Sequence, residues 1–167
     1  HTISRRQRQM CIRDSVSTRG AMGEIQAERI LEQILAPAQY GKNVKTHPEC
    51  KGQVEFAIKL PGIDGTMDEP VWLPIDCKFP KEDYERLLDA YETGDKKAVE
   101  KAYSTFESNV TAKAKTIRKE YVSAPHTTDF AVMFLPTEGL YADVVRRPGL
   151  FESCLLYTSP SPRDVRS

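Results

Sequence analysis

A chain of 167 residues, 40% of them hydrophobic, is long enough for one domain with its own core, and its 24 basic and 24 acidic residues cancel. The balance excludes binding to polyanions through net charge alone, and no run of about eighteen apolar residues is present to span a membrane.

The two ends do not resemble the middle. Residues 1–15, HTISRRQRQMCIRDS, have neither a helical nor a strand period and are dense in arginine, yet they lack the apolar stretch and cleavage site of a secretory signal. Arg5 to Asp14 and Cys154 to Asp164 each resemble the conceptual translation of a transposon-type sequencing adapter. Residues 1–15 and 153–167 are therefore expected to be adapter-like scars without fixed structure, leaving 16–152 as the genuine domain, cut short at its C-terminal end. Without them 18 basic and 22 acidic residues remain, a net charge of −4. Cys11 and Cys154 drop out with the scars, and the remaining Cys50 and Cys77 fit a reducing compartment rather than a disulfide framework.

From Thr18 the spacing of Ala27, Ile30, Leu31, Ile34 and Leu35 predicts an amphipathic helix packed on one face and ended near Pro37. Glu24 falls in or near its first turn and off the apolar stripe, where the helix dipole alone favours an acid. Tyr40 to Gln53 is polar, with a short edge strand expected around Val44 to His47. His47 and Cys50 are two candidate ligands without a second pair, the ordinary composition of a surface loop.

Val54 to Leu60 alternates cleanly, with Val54, Phe56, Ile58 and Leu60 on one face and Glu55, Ala57 and Lys59 on the other. The turn-rich Pro61 to Pro70, its carboxylates read as solvated, joins it as a hairpin to Val71 to Pro80, VWLPIDCKFP. Residues two apart on a strand share a face, so Asp76 and Lys78 point the same way at its C-terminal end. Antiparallel pairing brings Glu55 close to Asp76 across the ladder. Cys77, on the opposite face, is core rather than ligand.

Tyr84, Leu87, Leu88 and Tyr91 mark one face of a following helix, with Gly94 and Asp95 as a stop and a new N-cap. A long helix from Lys96 to about Ser123 carries Val99, Ala102, Phe106, Val110, Ala114, Ile117 and Tyr121 at three- and four-residue steps. Its polar faces hold Lys113, Arg118 and Lys119, candidate contacts to nucleic-acid phosphates, although interleaved Glu107 and Glu120 also suit a plain solvated face. Asp129 to Pro136, DFAVMFLP, reads as a strand buried on both faces, and Thr137 to Glu152 as a loop and short helix with Leu140, Val144 and Val145 packed back onto the sheet.

Glu24, Glu55 and Asp76 converging at the end of a sheet would form a hard-oxygen site for Mg²⁺ or Mn²⁺, which polarises a phosphoryl oxygen and activates water; Lys78 would meet the developing negative charge. Such a site hydrolyses a phosphodiester without a nucleophilic side chain. A D-x-K triplet alone is weak evidence, and a salt-linked pair on a strand explains it equally well. The combination of a helix acid, an acid on one hairpin strand and D-x-K on the next resembles the PD-(D/E)xK nuclease superfamily. More narrowly, GEIQAERIL, VEFAIKLPG, LPIDCKFPKEDYERLL and DFAVMFLPTEGLYADVVRRPGLFE resemble successive blocks of the RmuC family of bacterial DNA recombination proteins, over residues 18–152.

The resemblance implies an α/β (α+β) fold with a restriction-endonuclease-like core, a central mixed sheet flanked by helices. It implies a Mg²⁺-dependent DNA endonuclease that limits inversions and rearrangements, with Glu24, Glu55, Asp76 and Lys78 catalytic and the three acids as metal ligands. Val54-Glu55 departs from the Pro-Asp of the motif's name, and glutamate's extra methylene requires the geometry to adjust. The resemblance further implies that full-length members carry an N-terminal membrane anchor and a coiled coil not seen in this segment, which would place them in the bacterial cytoplasm, tethered to the inner membrane. Mild acidity favours the alternative of a DNA-binding or scaffolding module that keeps the fold without turnover.

Overall fold

The computed structural model describes residues 23–62, 65 and 68–158. The expectations for residues 1–15, for a helix start at Thr18, for Asp64 in the hairpin loop and for residues 159–167 lie outside them.

The first described helix, α1, covers 23–34. It is followed by the strands β1 (Tyr40–Val44), β2 (Val54–Leu60) and β3 (Val71–Asp76), then the helices α2 (Lys81–Thr93) and α3 (Lys96–Tyr121). A short β4 (Val132–Met133), α4 (Glu138–Arg146) and α5 (Leu150–Thr158) complete the described chain. The boundary expected at residue 153 thus falls inside α5. Among the described residues the strands form one mixed sheet in the order β1-β2-β3-β4, antiparallel except for the parallel β3–β4 pair. The result is a mixed α/β fold, a four-stranded sheet flanked by helices.

The alternation of β2 decides which helix covers which face. Phe56 pairs with Ile75, and together with Cys77 they receive Ala27 and Leu31 of α1. Ala57, on the opposite face, packs with Ile117 and Tyr121 of α3, joined by Val54 at the strand's start. A third cluster, built on Leu87, Phe106, Val110, Leu140 and Leu150, fastens α2, α4 and α5 to α3. The stop between α2 and α3 is as the sequence indicates: Gly94 takes φ +68 at the C-cap, and the Asp95 carboxylate accepts from the Lys97 N–H at 2.9 Å.

Four sequence expectations change. The edge strand is Tyr40–Val44 rather than Val44 to His47: it pairs with β2 from Tyr40 opposite Ile58 to Val44 opposite Val54, where β2 begins. The apolar stripe of α1 is only half covered: Ala27 and Leu31 are buried, while Ile30 and Ile34 are exposed. The segment 129–136 is not a strand buried on both faces. Thr127 bridges Trp72, Thr128 then turns its hydroxyl to the Phe130 carbonyl at 2.6 Å, and pairing resumes only at Val132. Phe130 and Val132 face outward, since β4 is the sheet's edge among the described residues. Leu140 and Val144 pack inward as expected, but Val145 is exposed.

Candidate functional site

The β2–β3 register sets up the site. Phe56 lies opposite Ile75, so Glu55 and Asp76, the next residue along each strand, meet at the end of the ladder on the face covered by α3. Both are buried, Asp76 completely and Glu55 to 7% exposure.

Burial of two carboxylates side by side requires partners, and all four oxygens have one. Glu55 Oε1 lies 2.5 Å from Lys78 Nζ, and its Oε2 accepts from the Cys77 N–H at 3.1 Å. Asp76 Oδ1 accepts from the Lys78 N–H at 2.8 Å, and its Oδ2 from Lys113 Nζ at 3.1 Å. The pairs are therefore crossed. The lysine of the D-x-K triplet serves the glutamate on the neighbouring strand, and the aspartate takes its cation from α3. Two charges of each sign offset one another in a space closed to water on the sheet side.

The shifts follow from this arrangement. Burial pushes the Glu55 carboxyl up, but the Lys78 ammonium and the Cys77 N–H outweigh it and hold the group below the ordinary carboxylate value. For Asp76 burial wins over Lys113 and the Lys78 N–H, helped by the nearby Glu55 charge, and the group is raised. The Glu55 contact raises Lys78. Burial, then the charges of Glu55, Asp76 and Glu24, push the Cys77 thiol up to about 12, which makes it an inert core cysteine.

Glu24 stands apart. It lies on α1, which covers the opposite face of the sheet, close enough to act on Cys77 but belonging to neither ion pair. Gly23 beside it permits a close approach, since a Cβ there would come within 3.3 Å of Pro136. Among the described residues no group of three or more His, Cys, Asp or Glu side chains is placed to hold a metal ion. Mg²⁺ nevertheless is commonly held by one or two carboxylates, with waters and substrate phosphate completing its oxygens. Glu55 and Asp76 fit that donor chemistry, provided the two ammonium groups give way.

Of the basic candidates on α3, only Lys113 joins the site. The Arg118 guanidinium donates to the Asp129 carbonyl at 3.1 Å, and Lys119 is exposed. Lys113 carries a signal that the sequence holds. It falls three residues after Val110 and four before Ile117, on the stripe that α3 buries, and a lysine there needs an anion. His47 and Cys50 have structural roles. The His47 ring donates to the Glu120 carbonyl at 3.0 Å, and buried Cys50 donates to the Gly52 carbonyl at 3.2 Å.

The model of the RmuC family matches residues 7–156. Two curated relatives from Xylella fastidiosa, strains Temecula1 and 9a5c, each named DNA recombination protein RmuC homolog, are 53% identical to the chain over 135 residues. The matched region is 81% of this chain and 29% of each relative, so the chain spans 29% of the length of the curated relatives it matches. No solved structure matches the chain significantly.

Proposed function

This chain belongs to the RmuC family of DNA recombination proteins, and we propose that it carries a divalent-cation-dependent site for hydrolysing DNA phosphodiester bonds on a PD-(D/E)xK-type core. One observation carries the reading: two buried carboxylates and two lysines from β2, β3 and α3 meet at one end of the sheet. A structural ion pair needs one acid and one base. Two acids placed side by side raise each other's cost of ionisation, an arrangement more typical of functional sites than of cores.

In this reading Glu55 and Asp76 hold Mg²⁺ or Mn²⁺, which when bound supplies Lewis-acid polarisation of a phosphoryl oxygen and a more acidic water. The backbone N–H groups of Cys77 and Lys78 keep the carboxylates oriented by fixing one oxygen of each. The Lys78 side chain, 63% exposed, is free to swing from Glu55 toward the negative charge that grows on the phosphate. Glu24, across the end of β3, is the third acid of the set and approaches from the α1 side. Exposed Lys119 and the neighbouring Arg118 offer charge to the DNA backbone.

The test is cleavage of linear, nicked and branched DNA with Mg²⁺ or Mn²⁺. Wild type is expected to cleave at least one substrate and Asp76→Ala none; identical behaviour of the two sinks the proposal. A second reading, a DNA-binding or scaffolding module without turnover, is favoured by the engagement of all four carboxylate oxygens within the protein. It predicts salt-sensitive DNA binding that survives loss of Asp76 or Lys78.

A further inference from the structure

Each buried carboxylate has one oxygen held by the backbone and one held by a lysine side chain. Glu55 Oε2 and Asp76 Oδ1 accept from the N–H groups of Cys77 and Lys78, bonds that the local chain fixes. Glu55 Oε1 and Asp76 Oδ2 are held by the ammonium groups of Lys78 and Lys113. Only the second two oxygens have partners that can move, and they are the ones a divalent cation shared by both acids would take. The two lysines differ in freedom. The Lys78 side chain is 63% exposed and can turn to solvent, whereas that of Lys113 is 23% exposed and springs from the packed stripe between Val110 and Ile117.

We propose that Lys113 is a positioning residue that competes with a divalent cation: its ammonium donates to Asp76 Oδ2 and must yield that oxygen before a divalent ion can be held there. The proposal rests on the metal-dependent reading above and deepens it by naming the group that competes with the metal. A lysine with no such role would simply tie α3 to β3. The two cases separate because a competing ammonium weakens metal binding, through both occupancy and repulsion, while a structural tie leaves the affinity where it is.

The experiment is calorimetric titration of Mn²⁺ into the 167-residue chain as wild type, Lys113→Met, Lys113→Arg and Asp76→Asn. Lys113→Met is expected to bind Mn²⁺ about tenfold more tightly than wild type, equivalent to about 1.4 kcal/mol. Lys113→Arg, which restores the charge, is expected to return to the wild-type affinity, and Asp76→Asn to abolish binding. Equal or weaker binding by Lys113→Met, with wild-type binding intact and lost in Asp76→Asn, overturns the role of Lys113 and leaves the metal-dependent reading standing. Absence of binding in every form, or binding indifferent to Asp76→Asn, overturns both. Should Lys113→Met fail to fold by circular dichroism, Lys113→Leu, which likewise removes both the donor and the charge, carries the same expectations.

Discussion

At the end of β2 and β3 two carboxylates are buried and every oxygen has a partner, whereas along β4 and the outer side of α1 hydrocarbon faces solvent, with Ile34 at 69% exposure and Phe130 at 42%. A groove of about 870 Å³ runs along that second region, between Ile30 of α1, Val132 of β4, Tyr141 of α4 and Phe151 of α5. The usual placement of polar and apolar groups is thus reversed at two neighbouring parts of one sheet, for Asp76 itself pairs with Met133 of β4. Burial here follows coverage by neighbouring elements rather than residue type. Where α3 lies over the strands, charges are enclosed and must be paired. Where the sheet ends, among the described residues, at β4, even the aromatic side chain of Phe130 stays in water.

Substitutions in the two regions should therefore differ in size, and the largest effect should come from the core that backs the covered side. Phe106, fully buried among Leu87, Val110 and Leu140, should cost about 3–5 kcal/mol on truncation to alanine, measured by urea denaturation. Leu31→Ala, on the covered side of α1, should cost about 2–5 kcal/mol. A smaller loss, about 1–3 kcal/mol, is expected of Glu55→Ala, because the Cys77 N–H loses its acceptor while exposed Lys78 finds water. Ile34→Ala, one turn from Leu31 but on the open side, should stay within about 0.5 kcal/mol. An Ile34 effect as large as that of Leu31 would break the comparison.

Acid titration sharpens the same contrast within the site. Glu55 is held below its ordinary value of 4.5, so it contributes stability above pH 4.5 that is lost as the pH falls through its folded value. Asp76 is raised above its ordinary 3.8, so its ionisation opposes folding, and that cost is present above its folded value and gone below pH 3.8. Glu55→Gln should therefore flatten the loss of stability below pH 4.5, and Asp76→Asn should steepen it. Melting temperatures measured between pH 3 and 6, a window of about one and a half units either side of 4.5, would show the opposite signs.

The covered region was the more legible one in the sequence. Alternation in Val54 to Leu60 and Val71 to Asp76, with a turn-rich loop between, fixes a hairpin and its faces, and the three- and four-residue steps of α3 mark its buried stripe. Periodicity reports which side chains share a face and is silent about what covers the face. For that reason the spacing in α1 predicts a wholly buried stripe, whereas Ile30 and Ile34 lie beyond the reach of the sheet. DFAVMFLP has the composition of a central strand, but one hydroxyl at Thr128 and the end of the sheet leave only two residues paired. In the site, the proximity of Glu55 and Asp76 was readable from the hairpin, while the crossed pairing was not, because the partner of Asp76 comes from a helix 37 positions away in sequence. Glu24 joins the set through the resemblance to the nuclease superfamily, and in the structure it stands on α1, on the other face of the sheet, near enough to raise the Cys77 thiol.

The central claim is that Glu55 and Asp76 form one cation site rather than two structural ion pairs. The most direct measurement is anomalous diffraction at the manganese edge from crystals of the chain grown with Mn²⁺. A single peak in contact with both carboxylates is expected, with Lys113 Nζ displaced from Asp76 Oδ2. Crystals in which Mn²⁺ binds elsewhere or not at all, with Lys78 and Lys113 still seated on the two acids, would contradict it.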